Sequence, residues 1–335
     1  MTSATGTHAG LTGPGQLPGS PRVQPLAPGQ PPGAAAGQPA LDALCAPAPA
    51  ALAAPGETAV PAVSRRREVG GTSARSLLMT VLGEYVLPRG TPVWTLSLVR
   101  ALALLEVEEK SARQALARSA AEGWLRSQRS GRRVRWELTE PGRRLLSEGA
   151  SRIYSFGREG MRWDGRWLIL LVSVPEVKRD LRHRLRTRLT WAGFGTAAPG
   201  VWLSPQPARE AEARRILADL GLAEGSMSFL ASYGSVGTPE TVVSLAWDLD
   251  SLASRYEAFC AAFGGLRPAT AAQMFTAQAR LVHEWRRFPF LDPQLPGELL
   301  PDGWAGALAA ELFRARHARW REGADEQWDA LLATP

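Results

Sequence analysis

Apolar residues recur at helical spacing in three successive segments that begin after residue 75. The first, residues 76–86, ends just before a Pro-Arg-Gly turn, and the second, residues 95–102, begins with hydroxyl residues suited to capping. The third, residues 108–123, has an alanine-rich inner face and ends in a glycine. The pattern predicts three short helices that pack closely, because small inner side chains let helices approach one another.

The next segment, residues 124–139, alternates apolar and basic residues around Ser130-Gly131, which is typical of a β-hairpin. Three helices followed by a hairpin are the order of a winged helix-turn-helix, whose third helix enters the major groove of DNA. We expect that helix and the hairpin, the wing, to contact DNA. The candidate residues are Lys110, Ser111, Arg113, Gln114 and Arg118 on the helix, and Arg126, Arg129, Arg132, Arg133 and Arg135 in the wing.

Guanidinium and amide groups on the third helix suit base edges or phosphates, and Lys110 suits a phosphate. The wing arginines concentrate positive charge that a polyanion neutralises with release of counterions. Between Ser111 and Trp136 the only acidic residue is Glu122. The alternative is that these arginines form the solvated surface of a winged-helix interaction module without specific DNA binding.

A second pattern follows, in which apolar strands alternate with amphipathic helices. Residues 167–174 predict a buried strand, residues 178–189 a helix with leucines on one face, and residues 201–204 a second strand. A helix over residues 208–220 and a strand over 227–233 complete the order, which suits a ferredoxin-like sheet. A metal-dependent nuclease would need a carboxylate at the end of the first strand, but Ser-Val-Pro stands there.

The remainder is predicted to be mostly helical, with helices over residues 252–263, 271–288 and 304–321 and a proline-punctuated connection before the last. His283-Glu284 lacks the second histidine of a zinc protease motif, so no metal site is predicted. His183 and His317 are expected on helix surfaces.

Composition adds a cellular setting. The chain has 335 residues, a formal net charge of +7 and two cysteines, Cys45 and Cys260, too few for a disulfide framework. Residues 1–70 are rich in Gly, Pro and Ala, and we expect them to be disordered. The longest apolar run is too short to span a bilayer, and no secretory leader is evident, so we expect a cytoplasmic protein with no membrane partner.

Several separated segments from about residue 73 to the C-terminus resemble one family, the PaaX-type repressors of phenylacetic acid catabolism. The segments that carry the resemblance are Ala74-Arg75-Ser76-Leu77-Leu78, Gly123-Trp124-Leu125, Leu138-Thr139-Glu140-Pro141-Gly142, Ser151-Arg152-Ile153-Tyr154, Trp163-Asp164-Gly165-Arg166-Trp167, Gly193-Phe194-Gly195, Gly200-Val201-Trp202 and residues 281–304. The resemblance implies a dimeric, three-domain repressor that an aryl-CoA thioester, typically phenylacetyl-CoA, releases from its operator. It also implies a middle domain similar to the small CRISPR-adaptation nucleases.

Given such an effector, two basic regions are candidates for its phosphates. The first is a set near residue 285, namely His283, Trp285, Arg286 and Arg287, where arginine would pair with phosphate and the indole would stack on a ring. The alternative is that Trp285 is core and the arginines pair with Asp248, Asp250 or Glu284. The second is the predicted helix with Lys178, Arg179, Arg182, Arg184, Arg186 and Arg188, for which DNA phosphates, a dimer partner, CoA phosphates and a solvated face all remain open.

We therefore expect an α+β multidomain protein that is not an enzyme and needs no cofactor. The expected order is a tail at 1–70, a winged helix-turn-helix at 71–150, a ferredoxin-like α/β domain at 151–237 and a helical effector and dimerisation domain at 238–335. The expected partners are an inverted-repeat operator in double-stranded DNA, a CoA thioester and a second copy of the chain. An enzyme acting on acyl-CoA is the alternative of another class.

Overall fold

The computed structural model describes residues 73–157 and 162–333, which form a mixed helical and sheet structure; the predicted tail at 1–70 lies outside the described residues. The α-helices are α1 (Ala74–Val81), α2 (Thr95–Leu104), α3 (Glu109–Ala121), α4 (Glu140–Ser155), α5 (Arg179–Trp191), α6 (Glu210–Asp219), α7 (Pro239–Ala246), α8 (Leu249–Gly264), α9 (Ala271–Trp285), α10 (Phe288–Leu291) and α11 (Ala305–Ala333). The strands are β1 (Val93–Trp94), β2 (Leu125–Ser130), β3 (Arg133–Leu138), β4 (Arg166–Leu171), β5 (Gly195–Ala198), β6 (Val201–Ser204) and β7 (Met227–Ser232). This mixture agrees with the expected α+β class.

The first three helices and the hairpin are present as predicted, and they pack with a short strand that periodicity did not indicate. That strand, β1, joins the sheet in the order β1-β3-β2, with every pair antiparallel. The hairpin turns at Gly131, whose φ of 60° a glycine adopts at no steric cost. The first helix continues as a π-helix over Leu82–Val86.

A fourth helix, α4, follows the hairpin directly, where no helix was predicted. Thr139 caps it by accepting a hydrogen bond from the Gly142 N–H at 3.2 Å, and Pro141 occupies its first turn. The helix buries Gly142 and Leu146, and Ile153 and Tyr154 near its end pack, partly buried, against a core in the C-terminal region. It runs through residue 150, the predicted end of the first domain.

The middle of the chain folds as β4-α5-β5-β6-α6-β7 around a four-stranded antiparallel sheet in the order β5-β6-β4-β7. This is a ferredoxin-like order, and it contains all five predicted elements. Leucines of α5 and α6 cover one face of the sheet, and α7 with the Leu295 and Leu299 loop covers the other. Sequence patterning missed β5, because its four small residues carry little hydrophobic signal.

The C-terminal helices differ from expectation in their ends. The predicted helix over 271–288 stops at Trp285 and gives way to the short α10, because Pro289 cannot continue the preceding turn. The last helix, α11, extends to Ala333, well beyond the predicted end at residue 321.

One hydrophobic core joins the N-terminal helices to α9 and α11. Tyr85 packs against Phe275 and Trp328, with ring centroids 4.9 and 5.3 Å away, and all three side chains are fully buried. Ala324 and Leu331 of α11 belong to the same core. The first and last parts of the described chain therefore stabilise each other.

Candidate nucleic-acid interface

The third helix, α3, presents a polar face to solvent. Its buried face consists of Ala112, Ala115, Leu116 and Ser119, which pack in the N-terminal core. The predicted DNA-contacting side chains lie opposite: Lys110, Arg113, Gln114 and Arg118 are exposed, and Ser111 is half-buried. The guanidinium group of Arg113 pairs with Glu109 one turn earlier, at 2.7 Å. Exposure on a single face leaves these groups able to enter a groove.

All five predicted wing arginines are exposed, but two of them are hydrogen-bonded to other side chains of the hairpin. Arg126 Nε donates to Glu137 at 2.6 Å, and Arg135 Nε donates to the Gln128 amide oxygen at 3.0 Å. The other three, Arg129, Arg132 and Arg133, form no ion pair with any residue that the structure describes. The tip of the hairpin is therefore its most electropositive part.

The carboxylate that pairs with a wing arginine is that of Glu137. It follows directly after the segment from Ser111 to Trp136, in which Glu122 is the only acidic residue. Glu122 instead pairs with Arg75, whose guanidinium lies 4.8 Å from the centre of the Trp124 ring. Glu122 therefore neutralises an arginine of α1 and none of the wing arginines.

Two hydrogen bonds hold the hairpin against α2. Trp136 Nε1 donates to the Thr95 hydroxyl at 2.9 Å, and that hydroxyl donates to the Val134 carbonyl at 2.9 Å. Because Thr95 is the first residue of α2, these bonds set the position of the wing relative to the helices.

The turn between α2 and α3 is tied to α9. Glu106 adopts a left-handed conformation with φ of 65°, unusual for a residue other than glycine, and its carboxylate pairs with Arg280 at 2.7 Å. Beside it, the Thr276 hydroxyl donates to the Leu104 carbonyl at 3.3 Å. The position of α3 is thus coupled to a helix of the C-terminal region.

Two of the predicted effector residues, His283 and Arg286, contact α1 at the junction where the N-terminal helices pack against the C-terminal helices. His283 is buried, and its Nδ1 lies 3.2 Å from the Thr80 hydroxyl of α1. Burial lowers the pKa of His283 to about 3, with Arg286 and Arg287 acting in the same direction. A neutral, enclosed imidazole does not suit the binding of an anionic ligand.

Trp285 is a core residue, so its predicted role in stacking on a ligand was wrong. It is fully buried, its ring lies parallel to Phe313 at a centroid distance of 4.7 Å, and its Nε1 donates to the Ile153 carbonyl at 3.3 Å. The neighbouring arginines make contacts within the protein: Arg286 donates to the Ser76 hydroxyl, and Arg287 pairs with Glu284 at 3.2 Å. The alternative pairing with Glu284 is therefore the one present.

A buried carboxylate that the sequence pattern did not single out lies at the centre of the junction. Glu84, in the π-helical turn, accepts a hydrogen bond from the Tyr154 hydroxyl. Its Oε2 lies 3.0 Å from His317 Nε2 and 3.5 Å from the Gln278 amide nitrogen. His317 is thus mostly buried, and its predicted place on a helix surface was wrong. An acidic residue within an otherwise apolar helix was the available clue.

Three models of known protein families match three successive parts of the chain. Residues 73–142 match the family model "PaaX-like protein", residues 160–243 match "PaaX protein central Cas2-like domain", and residues 247–330 match "PaaX-like protein C-terminal domain". The transcriptional repressor PaaX of Escherichia coli (strain K12) is 34% identical over 251 residues, which cover 72% of this chain and 78% of the relative. The chain belongs to the PaaX-like family.

A solved structure supports the fold of this PaaX-like chain. An uncharacterised protein, Rv0674, from Mycobacterium tuberculosis superimposes with a TM-score of 0.54 at 22% identity. The match covers 78% of this chain and 99% of the other. At this identity the likeness concerns the fold alone.

The described part of the PaaX-like chain contains no group of three or more His, Cys, Asp or Glu side chains placed to hold a metal ion. Within the same residues, no helix combines the length and the apolar character needed to cross a membrane.

Proposed function

We propose that this chain is a DNA-binding transcriptional repressor, and that residues 73–142 are its winged helix-turn-helix. The observation that carries the proposal is the joint exposure of the polar face of α3 and of the hairpin-tip arginines that lack an ion pair among the described residues. Membership of a family that includes a named transcriptional repressor supports it. Phenylacetate-type aromatic acid catabolism is the process we infer it regulates.

In this proposal α3 enters the major groove. Arg113 and Gln114 read base edges, because guanidinium and amide groups form paired hydrogen bonds with guanine and adenine. Arg113 exchanges its exposed ion pair with Glu109 for a base, at little cost because exposed pairs contribute little stability. Lys110 and the wing arginines Arg129, Arg132 and Arg133 bind backbone phosphates.

We infer that two copies bind an inverted repeat, so that two α3 helices meet two half-sites about one helical turn, roughly 34 Å, apart. The edge strand β7 supports association through the central sheet. Its Met227, Phe229 and Leu230 are each about half exposed, and among the described strands β7 pairs only with β4. An apolar edge strand of this kind favours pairing with a second copy.

The proposed inducer is an aryl-CoA thioester such as phenylacetyl-CoA, which the protein binds without hydrolysing. An inducer weakens DNA binding only as far as it prefers the arrangement of the dimer that misplaces the two α3 helices. The contacts of α9 with α1 and with the α2–α3 turn offer a route by which a change among the C-terminal helices would reach α3.

Binding of the purified full chain to its own upstream promoter, with unrelated duplex as competitor, tests the proposal. A panel of CoA thioesters is added in turn, and free CoA is measured alongside the bound DNA. Specific binding that one thioester abolishes without release of free CoA is the expected result. Equal affinity for the promoter and for unrelated duplex would indicate an interaction module. Consumption of the thioester with release of free CoA would indicate an enzyme.

A further inference from the structure

The helix α5 in the central domain carries a dense positive charge on its outer side. Leu185 and Leu189 are buried against the sheet and Leu181 is partly buried beside them, so they supply its packing. The exposed residues along the rest of its surface are Arg179, Asp180, Arg182, His183, Arg184, Arg186 and Thr190. Packing of the helix therefore requires none of these arginines.

Most of this charge has no acidic partner among the residues that the structure describes. Arg188 pairs with Asp219 of α6 at 3.0 Å, and Arg182 donates to the backbone carbonyl of Glu176. Arg179, Arg184 and Arg186 form no ion pair within the described chain. Arg179, Arg182 and Arg186 follow one another at spacings of three and four residues, and like charges so spaced on a helix destabilise it. A bound polyanion would relieve this repulsion, which the fold leaves in place.

The shape of the surface favours an extended polyanion over a small anionic ligand. The arginines project from the convex side of a helix, whereas small ligands are held in concave pockets. One of them, Arg186, lines a cavity of about 410 Å³, but Asp248 and Asp250 line the same cavity and would repel a phosphate. Arginine also matches phosphate geometry with its planar pair of donors.

We propose that α5 is a second DNA-contacting surface, which binds backbone phosphates of duplex DNA beyond those reached by α3 and the wing. The inference rests on the proposed DNA-binding function. Because the bonds are to phosphates, α5 adds affinity and salt dependence but no base preference.

The test compares the full chain with the double variant Arg179→Gln/Arg186→Gln. The matched control is Arg255→Gln/Arg319→Gln, which removes the same charge from α8 and α11, where neither arginine forms an ion pair with a described residue. Affinity for a long duplex of unrelated sequence is measured over a range of salt concentrations. The α5 variant should lower the slope of log K against log salt by about 0.9 for each phosphate that it ceases to neutralise, while the control leaves the slope unchanged.

The outcomes separate this inference from the proposed function. A wing variant, Arg132→Gln, that lowers the slope while the α5 variant does not would overturn the role of α5 and leave DNA binding in place. Failure of the unaltered chain to bind duplex DNA would contradict both the role of α5 and the proposed DNA-binding function. The molar mass of each variant in solution is measured as well: if the α5 variant alone becomes monomeric, α5 is a subunit contact and the inference is wrong.

Discussion

Glu84, in the first helical segment, lies 3.0 Å from His317 in the last helix, and this contact lies at the centre of the junction between the N-terminal and C-terminal regions. The carboxylate is buried, and a buried polar group is stable only when hydrogen-bonded. Its partners come from α4, α9 and α11. One side chain thus fastens the N-terminal region to three other elements.

Replacing Glu84 by Ala should lower the free energy of unfolding by about 1–3 kcal/mol, because Tyr154, Gln278 and His317 would be deprived of their shared acceptor inside the protein. Urea unfolding followed by circular dichroism measures the change. Glu326→Ala, an exposed position on α11, is the control and should be neutral. Equal stabilities for the two variants would contradict the structural role of Glu84.

Specificity and general affinity should respond to different arginines. Arg113→Ala on α3 is expected to reduce preference for the operator over unrelated DNA by about 1–3 kcal/mol, since the variant cannot hydrogen-bond the base. Arg132→Ala in the wing should weaken binding to every sequence and reduce the salt slope by about one. Competition binding measures both, and equal weakening at operator and unrelated DNA for Arg113→Ala would rule out its base-reading role.

Gly142, in the first turn of α4, has no room for a side chain. A Cβ there would lie 2.2 Å from the Trp124 carbonyl oxygen, so Gly142→Ala must displace backbone at the start of the wing. We expect the free energy of unfolding to fall by about 1–3 kcal/mol, together with weaker DNA binding. Gly149→Ala in the same helix is the matched control, because no atom lies within 4 Å of its Cβ position. That control should raise the melting temperature, since alanine favours helix.

His283 should contribute to the decline of stability in mild acid. Its folded pKa is lowered from 6.5 to about 3, so the unfolded chain binds its proton first as the pH falls. The destabilising contribution is absent above pH 6.5 and grows as the pH drops from 6.5 toward 3. Denaturant unfolding at a series of pH values should therefore show a shallower decline for His283→Gln than for the unaltered chain; parallel curves would contradict the prediction.

Local pattern was enough to predict most of the elements, because each depends on residues close together in the chain. The hairpin around Ser130-Gly131 needs a turn and alternation, and α5 needs leucines at helical spacing. The exposed face of α3 followed in the same way, since its small buried residues define the opposite side. The hairpin and the exposed face of α3 form the candidate DNA interface.

Contacts between distant segments could not be predicted in this way. Nothing near residue 317 indicates that its imidazole meets Glu84, and nothing near residue 285 separates a core tryptophan from one that stacks on a ligand. In each case the partner lies in an element far away in sequence.

The core shared by Tyr85, Phe275 and Trp328 also has a consequence for the way the protein is made. Domains usually fold in order as they leave the ribosome, the N-terminal one first. Here the N-terminal helices leave the ribosome first, and Tyr85 can pack against both Phe275 and Trp328 only after the last helix has been synthesised. A nascent chain therefore carries the candidate DNA-contacting arginines long before this core has formed, and we expect promoter binding only from the finished chain.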